Sequence, residues 1–503
     1  MKKNLLFILV LFTASSISAA NYFVQSGTGG AATWDAAVVT ANSGTLVDLT
    51  TEAKSFPAWY NATFTTTPAE IAKIYVIEGT YVFTIRITYQ SNTQVFGGYN
   101  GTSLSRNVGT NLWDFADETI FDGNNNTTQF IYAGGSRSNV IFDGLTLQNG
   151  GSGAAVILRG SEIIRNCKLI NNINNTASGT GAAIYLYGGG NVYNCYFEGN
   201  KNNGATGNGG DIGITNTGTR VIDGNMFVDS YALNKAAVLS VSGSPTVTFS
   251  NNIIREATGS AAIVITSSVA AKPTVTIINN TFVNNTVQSI YINGVTDGYP
   301  YLKIYNCVFW SPSTLVGGLG KVSGAADANT IIKNCALMEA HPVSWTSANN
   351  FLLEGTNTGD TPDAKYPAFV NPESNDFRIT ASSALRNTGA TFADAVNLKD
   401  FFGSVRPDGS NPEIGYFEFD ETTTANNTIR ALAVRAFSNN GMLVIENNEQ
   451  TSALAYVFDI TGKLMHQKQL NASEMINFDV QKGSYLIKIS TINGIENIKT
   501  FIR

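Results

Sequence analysis

The sequence predicts an all-β chain: a right-handed parallel β-helix, a solenoid of stacked turns, followed by a small C-terminal β-sandwich domain. Three observations predict it. One short phrase recurs along the middle of the chain, its pivotal position is always Asn or Gly, and a second phrase with strand-like alternation recurs half a period away.

The first phrase is an apolar pair, then Asn or Gly, often Cys, then a spacer and a large apolar residue. Its copies are Asn166-Cys167-Lys168-Leu169, Asn194-Cys195-Tyr196-Phe197, Gly224-Asn225-Met226-Phe227, Asn251-Asn252-Ile253-Ile254, Asn279-Asn280-Thr281-Phe282, Asn306-Cys307-Val308-Phe309 and Asn334-Cys335-Ala336-Leu337. Gly144-Leu145-Thr146-Leu147 reads as a leading eighth copy. The period is roughly 27 residues, long enough for one supersecondary unit and too short for a domain. Asn and Gly take positive φ most readily, so each copy is expected to hold a left-handed bend between two short strands. The second phrase includes Ala154-Ala155-Val156-Ile157-Leu158, Ala182-Ala183-Ile184-Tyr185-Leu186, Gly210-Asp211-Ile212-Gly213-Ile214, Ala236-Ala237-Val238-Leu239-Ser240 and Ala261-Ala262-Ile263-Val264-Ile265. Its alternation is that of a strand with one buried face. Three short strands per turn, stacked about 4.8 Å apart, satisfy both phrases, and the eight copies imply about eight turns.

Only 14% of the 503 residues are charged, and Gly numbers 48, which suits strands joined by tight turns. A net charge of -6 and a pI near 5.2 give no reason to expect nucleic acid as a partner. Lys2-Lys3, the apolar run Leu5 to Phe12 and Ser18-Ala19-Ala20 read as a secretory signal peptide over residues 1–20. No other stretch approaches the roughly 20 apolar residues of a membrane span, so the mature chain is expected without a transmembrane helix, exported and either soluble or surface-attached. Cys167, Cys195, Cys307 and Cys335 each follow the bend, in pairs one period apart, and are read as an unpaired inward column rather than as disulfides. They lack CxxC spacing, and neither a metal site nor a cofactor is expected.

Exposed strand edges at the ends of a solenoid need covers. Residues 21–135 are read as an N-terminal cap with the first turns, 136–340 as the repeats, and 341–420 as the last turns and a closing segment. Tyr22-Phe23-Val24, Trp34-Asp35-Ala36-Ala37, Glu78-Gly79-Thr80-Tyr81 and Gly97-Gly98-Tyr99-Asn100-Gly101-Thr102 carry a resemblance to right-handed parallel β-helix repeat proteins of Bacteroidetes, of pectate-lyase-like fold. Asp400-Phe401-Phe402-Gly403, Arg406-Pro407 and Pro412-Glu413-Ile414-Gly415-Tyr416-Phe417-Glu418 resemble the ending of that group's choice-of-anchor Q segment, with Tyr416 in place of the usual Ala.

A polar stretch over residues 421–430 reads as a linker. Met442-Leu443-Val444-Ile445, Ala455-Tyr456-Val457-Phe458-Asp459, Gly483-Ser484-Tyr485-Leu486-Ile487-Lys488-Ile489 and Lys499-Thr500-Phe501-Ile502-Arg503 then alternate as short strands of a sandwich over residues 431–503. With Gly462-Lys463-Leu464, they resemble the C-terminal sorting domain of the type IX secretion system. That resemblance implies passage across the outer membrane by the type IX machinery, removal of the domain and attachment at the cell surface.

A β-helix hosts lyases, hydrolases, adhesins and stalks, so function rests on the site. Pectate lyases and polygalacturonases look similar in architecture. A lyase needs a base and neutralisation of a uronate, a glycosidase a carboxylate pair. The central turns hold no "DD", "GHG" or "RIK" motif. Their charges are scattered and read as outward, Arg220 and Asp211 among them, the latter as a solvated strand carboxylate. His341 and His466 lie outside these turns. Alternation places Ile157, Tyr185, Gly213, Leu239, Val264 and Tyr291 in one outward column, and Arg159, Tyr187, Thr215, Val241, Thr266 and Asn293 in the next. Arg159, Tyr185, Tyr187 and Tyr291 are therefore the candidate carbohydrate-binding residues, aromatic faces beside a charged donor. The reading favours an adhesin-like surface that binds a polysaccharide or surface glycan over a polysaccharide lyase or glycoside hydrolase acting on a uronate-containing polymer, or a passive stalk.

Overall fold

The computed structural model describes residues 20–25, 32–50, 54–125, 129–151, 153–295, 297–310, 319–322, 329–338, 345–353, 365–393, 399–419, 434–439, 442–447, 453–459, 463–471, 474–491 and 494–502. The expected signal peptide (apart from Ala20), the expected linker and His341 lie outside the described residues. The chain divides into two compact units, Met1–Phe419 and Asp420–Arg503.

The first unit is wound from three parallel sheets. The first sheet has 13 strands, with Gly44–Asp48 at one edge and Thr346–Ala348 at the other. Among the described residues the second runs through 11 strands from Gly79–Val82 to Phe351–Leu352, and the third through nine from Ile87–Thr88 to Leu319–Val322, with the short pair Ile173–Asn174 and Lys201–Asn202 beside it. The chain visits them in rotation. Ile164 lies beside Phe142 and Val192 in the first sheet, Leu169 beside Leu147 and Phe197 in the second, and Ile184 beside Val156 and Ile212 in the third. With turns about 4.8 Å apart, 11 of them make a rod of roughly 50 Å. The helix is longer than the eight turns expected because its earliest turns form strands without the Asn or Gly phrase.

The pivotal residue of every copy does adopt the left-handed conformation: Gly144, Asn166, Asn194, Gly224, Asn251, Asn279, Asn306 and Asn334 have φ between 48° and 72°. A second left-handed corner, absent from the sequence reading, ends the second-sheet strands at Asn149, Asn171, Gly199, Asp229, Glu256 and Asn284. Each corner turns the following side chain into the core. After the first corner, the Oδ1 of Asn252 accepts from the backbone N–H (2.8 Å) and Nδ2 (3.0 Å) of Asn225, while its own Nδ2 donates to Ile222 O (3.0 Å) and Asn280 Oδ1 (3.0 Å). Cys167, Cys195, Cys307 and Cys335 occupy the same column, fully buried and unpaired. After the second corner, Asn172 and Asn200 repeat the arrangement. The large apolar residue of the phrase stacks between turns, as in Phe197 on Phe227 (centroids 4.6 Å apart) and Phe282 on Phe309 (4.8 Å).

Asp211 corrects an expectation. It is fully buried rather than solvated, and accepts from Asn200 Nδ2 (2.9 Å) and from the Ser230 hydroxyl. Burial pushes its pKa up to about 8, only partly opposed by those two hydrogen bonds. Register gives a second correction. Ser240, not Leu239, pairs with Gly213 and Val264, because the pairing slips by one residue between Ala236 and Leu239. This bulge turns Leu239 and Val241 inward, where both are fully buried.

The covers are aromatic and local. The α-helix Phe56–Thr63 buries Phe56, Trp59 and Tyr60 at the first end, and Tyr60 donates to Thr93 Oγ1 (2.8 Å). The closing segment instead lies along the outer face of the second sheet. Phe369, Phe377, Leu385, Phe401, Ile414 and Tyr416 pack on Ile253, Val283 and Val308. The second unit is a sandwich of a three-stranded and a four-stranded antiparallel sheet around Leu443, Ile445, Val457, Ile487 and Ile502. His466 sits there, 5.2 Å from the Phe478 ring.

Asn252→Ala leaves the buried donors of Asn225 unsatisfied and is expected to lower the unfolding free energy by about 3 kcal/mol, read from urea midpoints; unchanged stability would make the amide column incidental. Asp211 binds its proton more tightly when folded than when unfolded. Its contribution is therefore complete below the ordinary carboxylate range and is lost as pH rises towards about 8. Asp211→Asn should flatten the decline in thermal stability between acid and mildly alkaline pH, and an identical pH profile in the variant would contradict this.

Candidate functional site

Three faces clothe the solenoid, and they differ in what they leave available. The second-sheet face is closed by the segment just described. Asp400 accepts from the N–H groups of Phe402 (2.9 Å), Ser404 (2.8 Å) and Glu418 (2.9 Å). Buried Arg406 pairs with Glu418 (2.9 Å) and donates to Gly415 O (2.7 Å). Burial and the neighbouring Glu418 carboxylate push Glu413 up to about 9, so it sits beside the ion pair as a neutral acid. Gly415, at φ 106°, brings the chain so close that an added Cβ would lie 2.7 Å from Thr281 Oγ1. Tyr416, the departure noted in the sequence, donates its N–H to Thr281 Oγ1 (3.1 Å) and packs edge-on against Phe401 (5.4 Å). These residues fasten the segment. The same face keeps a cavity of about 290 Å³ between Trp113, Asn194, Phe401 and Phe402.

Most charges of the central turns are spent internally. Asp143 is fully buried between Arg106 (2.7 Å) and Arg165 (2.6 Å). Lys168 pairs with Glu118 (2.5 Å) and Arg255 with Glu256 (2.8 Å). Arg220, expected to face outward, is fully buried; its guanidinium donates to the carbonyls of Gly218 (2.7 Å), Thr217 (2.8 Å) and Thr215 (3.0 Å), and burial lowers its pKa to about 10. It shares a strand face with inward Ile222 two residues on, a parity the sequence already contained.

On the outer face of the third sheet the strands Ile131–Tyr132, Val156–Leu158 and Ile184–Leu186 lie side by side. Tyr185 follows Ile157 in register. The Arg159 guanidinium carbon stands 4.5 Å from the Tyr187 ring centroid and 5.4 Å from that of Tyr132, and Arg86 stands 4.0 Å over the other partner, Tyr132. Tyr185 meets Tyr187 edge-on at 5.5 Å and its hydroxyl shares a hydrogen bond with Thr215 Oγ1 (2.8 Å). Burial, first, raises the Tyr185 pKa, so the phenol stays neutral. Tyr187 is 39% exposed.

The structure thus brings Arg159, Tyr185 and Tyr187 together. Tyr291 stays apart: it shares the Tyr185 column, but Gly213, Ser240 and Val264 intervene, a separation of roughly 19 Å. There it packs on Val264, Ala236 and Ala261. Tyr132 and Arg86 were missed because they precede the repeated phrases; extending the alternation one turn back through Phe130-Ile131-Tyr132-Ala133 would have found the tyrosine. Among the described residues, no group of three or more His, Cys, Asp or Glu is placed to hold a metal ion, and no helix is long and apolar enough to cross a membrane.

Residues 129–309 match a family model described as a right handed beta helix region. Comparison with curated proteins gives no match to the chain. The match spans the turns that carry the Arg159 cluster, and with the three parallel sheets it makes the first unit a right-handed parallel β-helix.

Proposed function

We propose that this chain is an exported cell-surface β-helix protein that binds carbohydrate through the outer face of its third sheet. The observation that carries the reading is the cluster of Arg159, Tyr185 and Tyr187. Tyr187 is exposed yet fixed, between a guanidinium on its face and a second tyrosine at its side. Aromatic rings held in place offer sugar CH groups a stacking surface without loss of side-chain freedom on binding. The neighbouring guanidinium adds hydrogen-bond donors for ring oxygens and hydroxyls. The alternative of polysaccharide cleavage draws no such support: the neighbouring acids Glu413 and Glu418 serve the closing segment. The antiparallel sandwich of the second unit, with the sorting-domain resemblance of its sequence, supports delivery by the type IX machinery and display at the surface.

The test is retention of the full mature chain on immobilised glycans. Tyr187→Ala should weaken retention on the bound glycan by about tenfold with the circular dichroism unchanged, the loss of one stacked ring. An identical glycan profile in the variant, or no retention of the parent on any glycan, would remove the reading.

A further inference from the structure

Within the first unit, Arg159 differs from every other described arginine. Arg106, Arg165, Arg255, Arg378 and Arg406 each meet a carboxylate. Arg86, Arg137, Arg220 and Arg386 donate to a side-chain amide or to backbone carbonyls. Arg159 has neither among the described residues. Its Nε is buried without an acceptor, and its guanidinium carbon lies 4.5 Å from the Tyr187 ring centroid and 5.4 Å from that of Tyr132. Stacking consumes the faces of a guanidinium and leaves its donor edge unspent.

The surroundings supply no internal partner for that edge. The nearest acid in sequence, Glu162, is fully buried and already accepts from Gly160 N–H (2.5 Å) and the Tyr89 hydroxyl (2.9 Å). Further along the same column Gly213, Ser240 and Val264 are buried and Tyr291 is half-buried, and none of them is charged. Arg86, on the far side of Tyr132, adds a second positive charge. On a chain of net charge -6, this strip is cationic.

We infer that the third-sheet face recognises an anionic glycan, and that Arg159 receives its carboxylate or sulfate group through the guanidinium edge while Tyr187 contacts the sugar. A planar fork of N–H donors matches either oxyanion with two parallel hydrogen bonds, and a site partly screened from water by two rings strengthens them. This rests on the glycan reading above and adds charge selectivity to it.

Three oligosaccharide probes test the full mature chain by titration calorimetry: a neutral galactan, a galacturonate oligomer and a sulfated galactan of equal length. The acidic probes should bind at least about tenfold more tightly than the neutral one, with the advantage shrinking as salt is raised. Whichever acidic probe binds more tightly identifies the anion. Arg159→Gln should bring the acidic probes down to the level of the neutral one with the circular dichroism unchanged; Arg159→Lys, which keeps charge but loses the fork, should restore only part of the advantage. Equal binding of all three probes, or an undiminished preference in Arg159→Gln, overturns the inference and leaves glycan binding standing. Absence of binding by every probe overturns both.

Discussion

Everything in the first unit depends on a buried side-chain amide that hydrogen-bonds the turn before it and the turn after it. A parallel solenoid must reverse direction three times per turn without leaving backbone N–H and C=O groups stranded inside. Left-handed corners solve the geometry, and Asn tolerates that conformation better than other residues with a Cβ. The amide then following the corner solves the hydrogen bonding: Asn252 receives two donors from Asn225 and passes two donors on, to Ile222 and Asn280. Because an unsatisfied buried amide costs about 1–3 kcal/mol, each Asn is stable only above a correct neighbour. Where Cys replaces it, the column continues through the backbone, as in Cys195 N–H donating to Asn225 Oδ1 (2.8 Å) and Cys335 N–H to Asn350 Oδ1 (2.9 Å).

The same logic separates what was legible in the sequence from what was not. The first corner was legible because its residue must be Asn or Gly and its period repeats seven times over. The second corner escaped because Asp229 and Glu256 stand among its members, held in a conformation their side chains do not advertise. Inward and outward faces followed correctly wherever strict alternation held, and failed at Leu239 and Val241, where one inserted residue shifts the phase. Charges were the hardest to place. Asp211 and Arg220 sit at core positions because Ser230, Asn200 and nearby carbonyls satisfy them, partners 2 to 19 residues away that only the folded corners aim at the buried group. Of the candidate site, the proximity of Arg159, Tyr185 and Tyr187 was legible, being one turn apart in register, whereas the contribution of Tyr132 depended on turns with no repeat to count.

The distribution of surface chemistry follows from the distribution of covers. Apolar outward side chains on the second sheet, such as Ile253, Val283 and Val308, demand a second layer, and the closing segment supplies it. The third sheet answers the same demand from its own strands rather than from the closing segment. Its outward Val264 is covered locally by Ala236, Ala261 and Tyr291, and the cationic strip it bears is tied to tyrosine faces rather than to acids. A rigid scaffold of this type can vary its outer column without disturbing the core, because alternation separates the two sets of side chains.

Solenoids are usually free to gain or lose a repeat, since each winding touches only its neighbours. Here the closing segment forfeits that freedom. Phe401 abuts Trp113 (5.6 Å), which stacks on Tyr196 (5.9 Å), while the adjoining Tyr416 is anchored at Thr281 and Gly415 at Asn306 O (2.8 Å). Phe401 and Tyr416 are themselves joined through a backbone bond of 3.0 Å. The segment therefore acts as a caliper with one jaw at Tyr196 and the other at Thr281. Duplicating a winding between them would spread the jaws by about 4.8 Å, more than a hydrogen bond or a ring contact survives. In this chain, repeat number between those points is a fixed dimension, and length can vary only outside the jaws.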